Sequence, residues 1–200
     1  MLFDGPADAA RRVVLAHGAG AGMNTPFLNA MAAGLAARGV RVARFEFPYM
    51  AARRQGRKAP PDREPALRTA WLRVIQALGS DGLVIGGKSM GGRIASLIAD
   101  EAGVRGLVCL GYPFHPVGKP DRLRVAHLAE LTTPTLIVQG TRDPFGTREE
   151  VQGYRLADTI RVHWLEDGDH DFKPRKASGK TQQGHWDEAV AVVAEFIASL

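Results

Sequence analysis

Residues 83–94, which read Leu-Val-Ile-Gly-Gly-Lys-Ser-Met-Gly-Gly-Arg-Ile, constrain this chain more than any other stretch. A short apolar run with the composition of a buried strand breaks into glycines around one serine. It then resumes as a helix, because Ile94, Leu97 and Ile98 recur at helical spacing. Gly87-Lys88-Ser89-Met90-Gly91 fits Gly-x-Ser-x-Gly, a strand-to-helix elbow that lifts a hydroxyl above a sheet. The turn is so tight that side chains at the flanking glycines would collide with the neighbouring strand and helix. A serine placed there sits by a helix N-terminus, where free N–H groups favour a developing negative charge.

A second pattern overlaps these residues. Gly82 through Ser89 also satisfies Gly-x4-Gly-Lys-Ser, the phosphate-loop expression. That loop must curl after its strand has ended, whereas here Leu83, Val84 and Ile85 occupy three of the four variable positions and are themselves the strand. Gly79-Ser80-Asp81 before them is a turn, so the phosphate-loop match is accidental.

Two hundred residues with 45% apolar content make one well-cored domain, residues 1–200, and are too few for two. Residues 1–12 lack the apolar segment of a signal peptide, and no run is long enough to cross a bilayer. The single cysteine, Cys109, rules out an internal disulfide and suits a reducing, cytoplasmic setting; within Leu107-Val108-Cys109-Leu110 it reads as a core thiol. The net charge of +5 brings nucleic acid or an anionic substrate into consideration. The excess lies in residues 53–58 and 173–180, both rich in Gly, Pro or Ser, for which solvated loops are the commoner explanation.

The first clear strand covers residues 12–16 and ends in His17-Gly18-Ala19-Gly20-Ala21-Gly22, whose N–H groups can help to hold an oxyanion. His17 reads as a structural donor that props this loop. Thr25 caps a helix over residues 26–38 with Pro26 in its first position, and Gly39 stops it. Residues 40–47 alternate as a second strand. Pro48 then opens a basic stretch to Pro65 that the Pro60-Pro61 pair marks as irregular, a pocket wall or flap. Leu67, Trp71, Val74, Ile75 and Leu78 form the helix before the elbow strand, and residues 104–110 form the strand after it. A short helix is expected over residues 121–131, with no room for a large lid. Residues 135–139 make another apolar strand, followed by a Thr147/Glu150 capping box. Ile160, Val162 and Trp164 mark the last strand, and residues 186–197 an amphipathic C-terminal helix. Short apolar strands alternating with helices predict a three-layer α/β sandwich: a mostly parallel sheet of about six or seven strands with helices on both faces.

In such a sheet, reactive groups gather in the loops beyond the carboxyl ends of the strands. Ser89, Asp143 and His170 each follow an apolar strand within a few residues, and in the order Ser, Asp, His. Asp121 and Asp158 compete with Asp143, and His115, His127, His163 and His185 with His170, but each is less well placed. Asp169-His170-Asp171 is not a coherent metal-ligand set, since adjacent loop residues rarely converge on one ion, so no metal and no cofactor are expected. Lys88 and Arg93 read as exposed side chains, with binding of an acidic substrate group as the lesser option.

Over residues 12–200 the chain resembles the α/β-hydrolases, most closely the compact lidless type described as dienelactone-hydrolase-like. The His-Gly loop, the Gly-Gly-Lys-Ser-Met-Gly-Gly-Arg elbow, Gly-Thr-x-Asp and Gly-Asp-His carry the resemblance. Two departures accompany it: only about ten residues precede the first strand, and Ser89 stands where dienelactone hydrolases carry cysteine. The resemblance implies a nucleophile at Ser89, a base at His170, an acid at Asp143, and oxyanion donors in the N–H groups of Met90 and Ala19. The expected activity is hydrolysis of a small carboxylic ester or thioester, with a small acyl compound as partner and no membrane. A non-catalytic binding module that uses the basic loops, for example on nucleic acid, is the alternative. The identity of the acyl group and the oligomeric state are not legible in the sequence.

Overall fold

The computed structural model describes residues 1–200. Seven strands, β1 (Leu2–Asp4), β2 (Arg11–Ala16), β3 (Val40–Phe45), β4 (Leu83–Lys88), β5 (Gly106–Leu110), β6 (Thr135–Gly140) and β7 (Ile160–Leu165), form one sheet in the order β1-β3-β2-β4-β5-β6-β7. All neighbours pair in parallel except β1, which runs antiparallel to β3.

The strand residues sort themselves by parity, as a period of two requires. Val14 and Ala16 of β2, Leu83 and Ile85 of β4, and Leu107 and Cys109 of β5 face one core; Val13, Leu15, Val84, Val108 and Leu110 face the other. The first core is closed by α2 (Pro48–Arg54), α3 (Glu64–Leu78) and α4 (Met90–Ser96) through Tyr49, Trp71 and Ile94. The second is closed by α1 (Pro26–Ala36) and α6 (Gln182–Ser199) through Phe27, Met31, Val190 and Phe196. The cores hold 25 and 21 buried residues, so both faces are covered about equally, as the near-continuous apolar strands foretold. Cys109 is fully buried, and burial pushes its thiol well up, which keeps it a protonated core group.

Local signals fixed most boundaries. Thr25 Oγ1 accepts the Leu28 N–H at 3.2 Å to cap α1, and Thr147 and Glu150 form the reciprocal capping box of α5 (Arg148–Val151). Three expectations are corrected. The chain does carry a leading strand: β1 is three residues long, too short for any periodicity, and is held by pairing to β3 and by the buried Arg44, whose guanidinium meets Asp4 at 2.8 Å. The stretch after Pro48 is not irregular throughout, because Pro48 occupies the first turn of α2, followed by Met, Ala and Arg, good helix formers. Residues 121–131 yield only a four-residue 3₁₀ turn, Ala126–Ala129, because the Arg124 backbone is tied instead to Phe114 and the Tyr112 hydroxyl. That turn is the only helical element in the connection between β5 and β6, residues 111–134, which forms no large lid.

Candidate active site

Because β2 and β4 to β7 are parallel, their exits share one edge, and Ser89, Asp143 and His170 meet there. Ser89 leaves β4 with φ 51° and ψ −115°, a left-handed conformation that a side chain adopts only under constraint. Such strain costs on the order of 1–3 kcal/mol and persists where the surroundings over-determine it. Two glycines supply that constraint. Gly87 has φ 153° and lies against the Ala16 backbone, and a Cβ on Gly91 would come within 2.7 Å of the carbonyl oxygens of Ala16 and His17. The elbow is thereby pressed onto β2, with its hydroxyl outward.

The Ser89 Oγ is 2.9 Å from His170 Nε2, and His170 Nδ1 is 2.7 Å from Asp143 Oδ2. Asp143 is fully buried, and each of its oxygens receives another donor: Gln139 Nε2 at 3.0 Å on Oδ2 and the Phe145 N–H at 2.9 Å on Oδ1. The Phe145 ring lies 4.3 Å from the imidazole, centroid to centroid. Asp143 is therefore the one of the three candidate aspartates whose carboxylate meets His170. The other histidines have separate partners: His163 pairs with Glu188, His185 with the Phe172 carbonyl, His115 with the Pro116 carbonyl and His127 with Ser96.

His17 props the glycine-alanine loop, as the sequence suggested. It is fully buried, its Nε2 accepts the Phe47 N–H at 3.1 Å, and its Nδ1 lies 2.7 Å from the Gly18 carbonyl. The Tyr49 hydroxyl, which burial pushes up to a pKa of about 12 and so keeps protonated, lies 3.3 Å from the same carbonyl and 3.0 Å from that of Ala19. In a trans peptide the N–H points opposite to the C=O, so drawing the Gly18 carbonyl inward turns the Ala19 N–H outward. No protein group accepts that N–H. Met90, the first residue of α4, likewise has no carbonyl a turn behind it within the helix.

Burial pulls the His17 imidazole below its ordinary value of 6.5, and the Gly18 hydrogen bond only partly opposes this; burial also lowers His127. Burial disfavours the charged form of both in the fold, so the unfolded chain binds more protons once the pH drops below 6.5. The contribution of these two histidines should be flat above that value, and stability should fall as the pH descends toward their lowered folded values. Thermal midpoints recorded from about pH 8 to pH 5 test this, and a midpoint that rises on acidification contradicts it.

These groups open onto a hollow of about 360 Å³ whose walls include the loop from Gly18 to Gly22 with Thr25, Phe27, Lys88 and Phe145. A larger hollow, about 600 Å³ between β3, α2 and α3, touches none of Ser89, Asp143 or His170. One residue at the site escaped the sequence reading and another was misread. Gln139 is fully buried and also contacts the Tyr112 backbone; its signal was an amide ending an otherwise apolar strand. Lys88 is buried rather than exposed, as is most of Arg93, which pairs with Glu64 at 3.1 Å.

A family model described as "Alpha/beta hydrolase domain" matches residues 9–198. Rat (Rattus norvegicus) ABHD14B, whose name provisionally assigns it as a protein-lysine deacylase, is 32% identical over 115 residues, 56% of this chain and 52% of that protein. This chain thus spans about half the length of that curated relative. Among solved structures, a provisionally assigned hydrolase of the alpha/beta superfamily from Xanthomonas campestris pv. campestris superposes with a TM-score of 0.69, covering 95% of this chain and 99% of that one at 23% identity. Est1E from Butyrivibrio proteoclasticus, solved with ferulic acid bound, gives a TM-score of 0.73, covering 99% and 93% at 18% identity. At these identities the two structures speak for the fold. No helix is long and apolar enough to cross a membrane.

Proposed function

This chain belongs to the alpha/beta hydrolase family, and from that premise we propose that it is a serine hydrolase that cleaves a small carboxylic ester or thioester through an acyl-enzyme on Ser89. The observation that carries the reading is the unbroken hydrogen-bonded chain from Ser89 Oγ through both nitrogens of His170 to a buried Asp143. A binding module has no need to hold an imidazole between a hydroxyl and a carboxylate, so this chain favours catalysis over the non-catalytic alternative.

The steps follow from the groups present. With a substrate carbonyl in the hollow, Ser89 Oγ attacks the carbon while His170 Nε2 takes the hydroxyl proton, and Asp143 holds the imidazolium that forms. The carbonyl oxygen becomes an oxyanion held by the N–H groups of Met90 and Ala19; one such donor typically contributes about 3 kcal/mol to the transition state. Collapse of the tetrahedral species expels an alcohol or thiol, which receives the proton from His170. A water molecule then attacks the acyl-enzyme, giving its proton to His170, and the acid departs as the proton returns to Ser89. No residue in this sequence calls for a metal or cofactor. The unlidded hollow, about 360 Å³, suits compact acyl compounds, and the name of the rat relative adds acyl-lysine amides to those worth assaying.

Reaction with a fluorophosphonate tests the proposal. Mass spectrometry should find one adduct, on Ser89, in the native protein and none after denaturation. A folded protein that stays unlabelled would falsify the reading. A screen of acyl esters, thioesters and acyl-lysines would then define the leaving group.

A further inference from the structure

Lys88 closes β4 immediately before Ser89, yet its side chain turns back under the loop that carries His170. Its ammonium donates to the His170 carbonyl at 2.6 Å, and its side chain is 10% exposed. It lies 5.9 Å from the ring centroids of both Phe27 and Phe172 and 3.5 Å from Asp171, a carboxylate that is 77% exposed and so a weak counter-charge. A buried ammonium is costly to desolvate, and burial draws the Lys88 pKa down. A methionine there would fill the same space without that cost, so the ammonium calls for a reason beyond packing.

The loop from Asp169 to Lys173 supplies one. Its far side is fastened at Asp169, whose carboxylate accepts the N–H groups of Asp171 and Lys173 at 2.9 Å, and at the buried Phe172, whose carbonyl lies 2.8 Å from His185 Nδ1. The His170 carbonyl has one partner, Lys88. Gly111 leaves the space for this contact: with φ 70°, a Cβ on it would lie 3.3 Å from both Lys88 Nζ and His170 Nδ1.

We propose that Lys88 is a positioning residue whose ammonium ties the backbone of His170 to the strand that carries Ser89, and so sets the imidazole against the hydroxyl. Hydroxyl and imidazole, 81 positions apart in the chain, are then registered by the side chain next to the first of them. The proposal rests on Ser89 acting as nucleophile and His170 as base, and the experiment separates the two claims.

Lys88→Met and Lys88→Ala are compared with the native protein in p-nitrophenyl acetate hydrolysis, fluorophosphonate labelling and the proton spectrum of the imidazoles. A misplacement of about 1 Å at a reacting group can cost about 10²-fold, so Lys88→Met should lower kcat by about that factor and leave KM within about twofold. Propylammonium, which restores the missing charge and stem, should recover much of the rate in Lys88→Ala, and butanol should not. The downfield Nδ1–H resonance of His170 should be sharp in the native protein and broadened or lost in Lys88→Met. That signal reports on the clamp even if the native protein resists labelling, an outcome that would sink the hydrolase reading alone. A Lys88→Met protein with native turnover or an unaltered His170 resonance overturns the proposal, as does a Lys88→Ala defect that propylammonium leaves untouched.

Discussion

Ser89→Ala and His170→Ala are each expected to lower kcat toward a short acyl ester by about 10⁶-fold, and the double variant should be no worse than either alone. In the proposed mechanism attack and proton removal are one event: a hydroxyl 2.9 Å from Nε2 is a weak nucleophile unless that nitrogen takes its proton, and the nitrogen has nothing to do without the hydroxyl. Residual activity should reflect only binding and the oxyanion donors. Ser89→Ala retains a Cβ in the same left-handed conformation, so its thermal midpoint should match the native value and attribute the loss to chemistry. Ser89→Gly, which relaxes that conformation, should be the more stable variant. Steady-state kinetics against the buffer rate decide the matter. A double variant much slower than the singles, or a single variant that keeps a tenth of native turnover, contradicts the linked roles.

Asp143→Asn is expected to reduce kcat by about 10⁴-fold, for a reason specific to this pocket. Both carboxylate oxygens face donors: Gln139 and His170 on Oδ2, the Phe145 N–H on Oδ1. An asparagine must therefore aim its amide hydrogens at one of them. With its oxygen toward His170, the amide opposes the Phe145 N–H in a buried site, where unmatched polar groups cost about 1–3 kcal/mol. With its nitrogen toward His170, the imidazole must present a bare Nδ1 and carry its proton on Nε2, which disables it as a base. Gln139→Leu leaves the carboxylate but removes one donor, and should be the milder change. Rate constants for acylation and the His170 tautomer by nitrogen chemical shift test this, and an Asp143→Asn enzyme within tenfold of native would refute the assigned orientation.

Ser89 was legible because its surroundings are local: five consecutive residues dictate the elbow, and the glycines that permit the contact with β2 are among them. Asp143 and His170 were legible by a weaker rule, their placement just after apolar strands, and that rule holds because parallel strands deliver their exits to one edge. The leading strand was not, since Leu2–Asp4 becomes a strand only when β3 and Arg44 are present to pair with it. The helix at Pro48–Arg54 was hidden by the Pro60-Pro61 pair, whose influence reaches only its own neighbours.

Lys88 and Gln139 mark the boundary most clearly. A lysine in a glycine-rich segment is read as exposed because lysines usually are, and nothing within ten residues says that a loop from position 170 will close over it. What the amino-acid order alone determined was the alternation of strands and helices, the two-sided burial of the sheet and the serine that sits on the elbow, all of which follow from period, composition and backbone sterics over a few residues. What only the assembled molecule decided was which carboxylate, amide and ammonium surround the imidazole. The His170–Asp143 and His170–Lys88 contacts join residues 27 and 82 positions apart, and their geometry follows from how the layers pack.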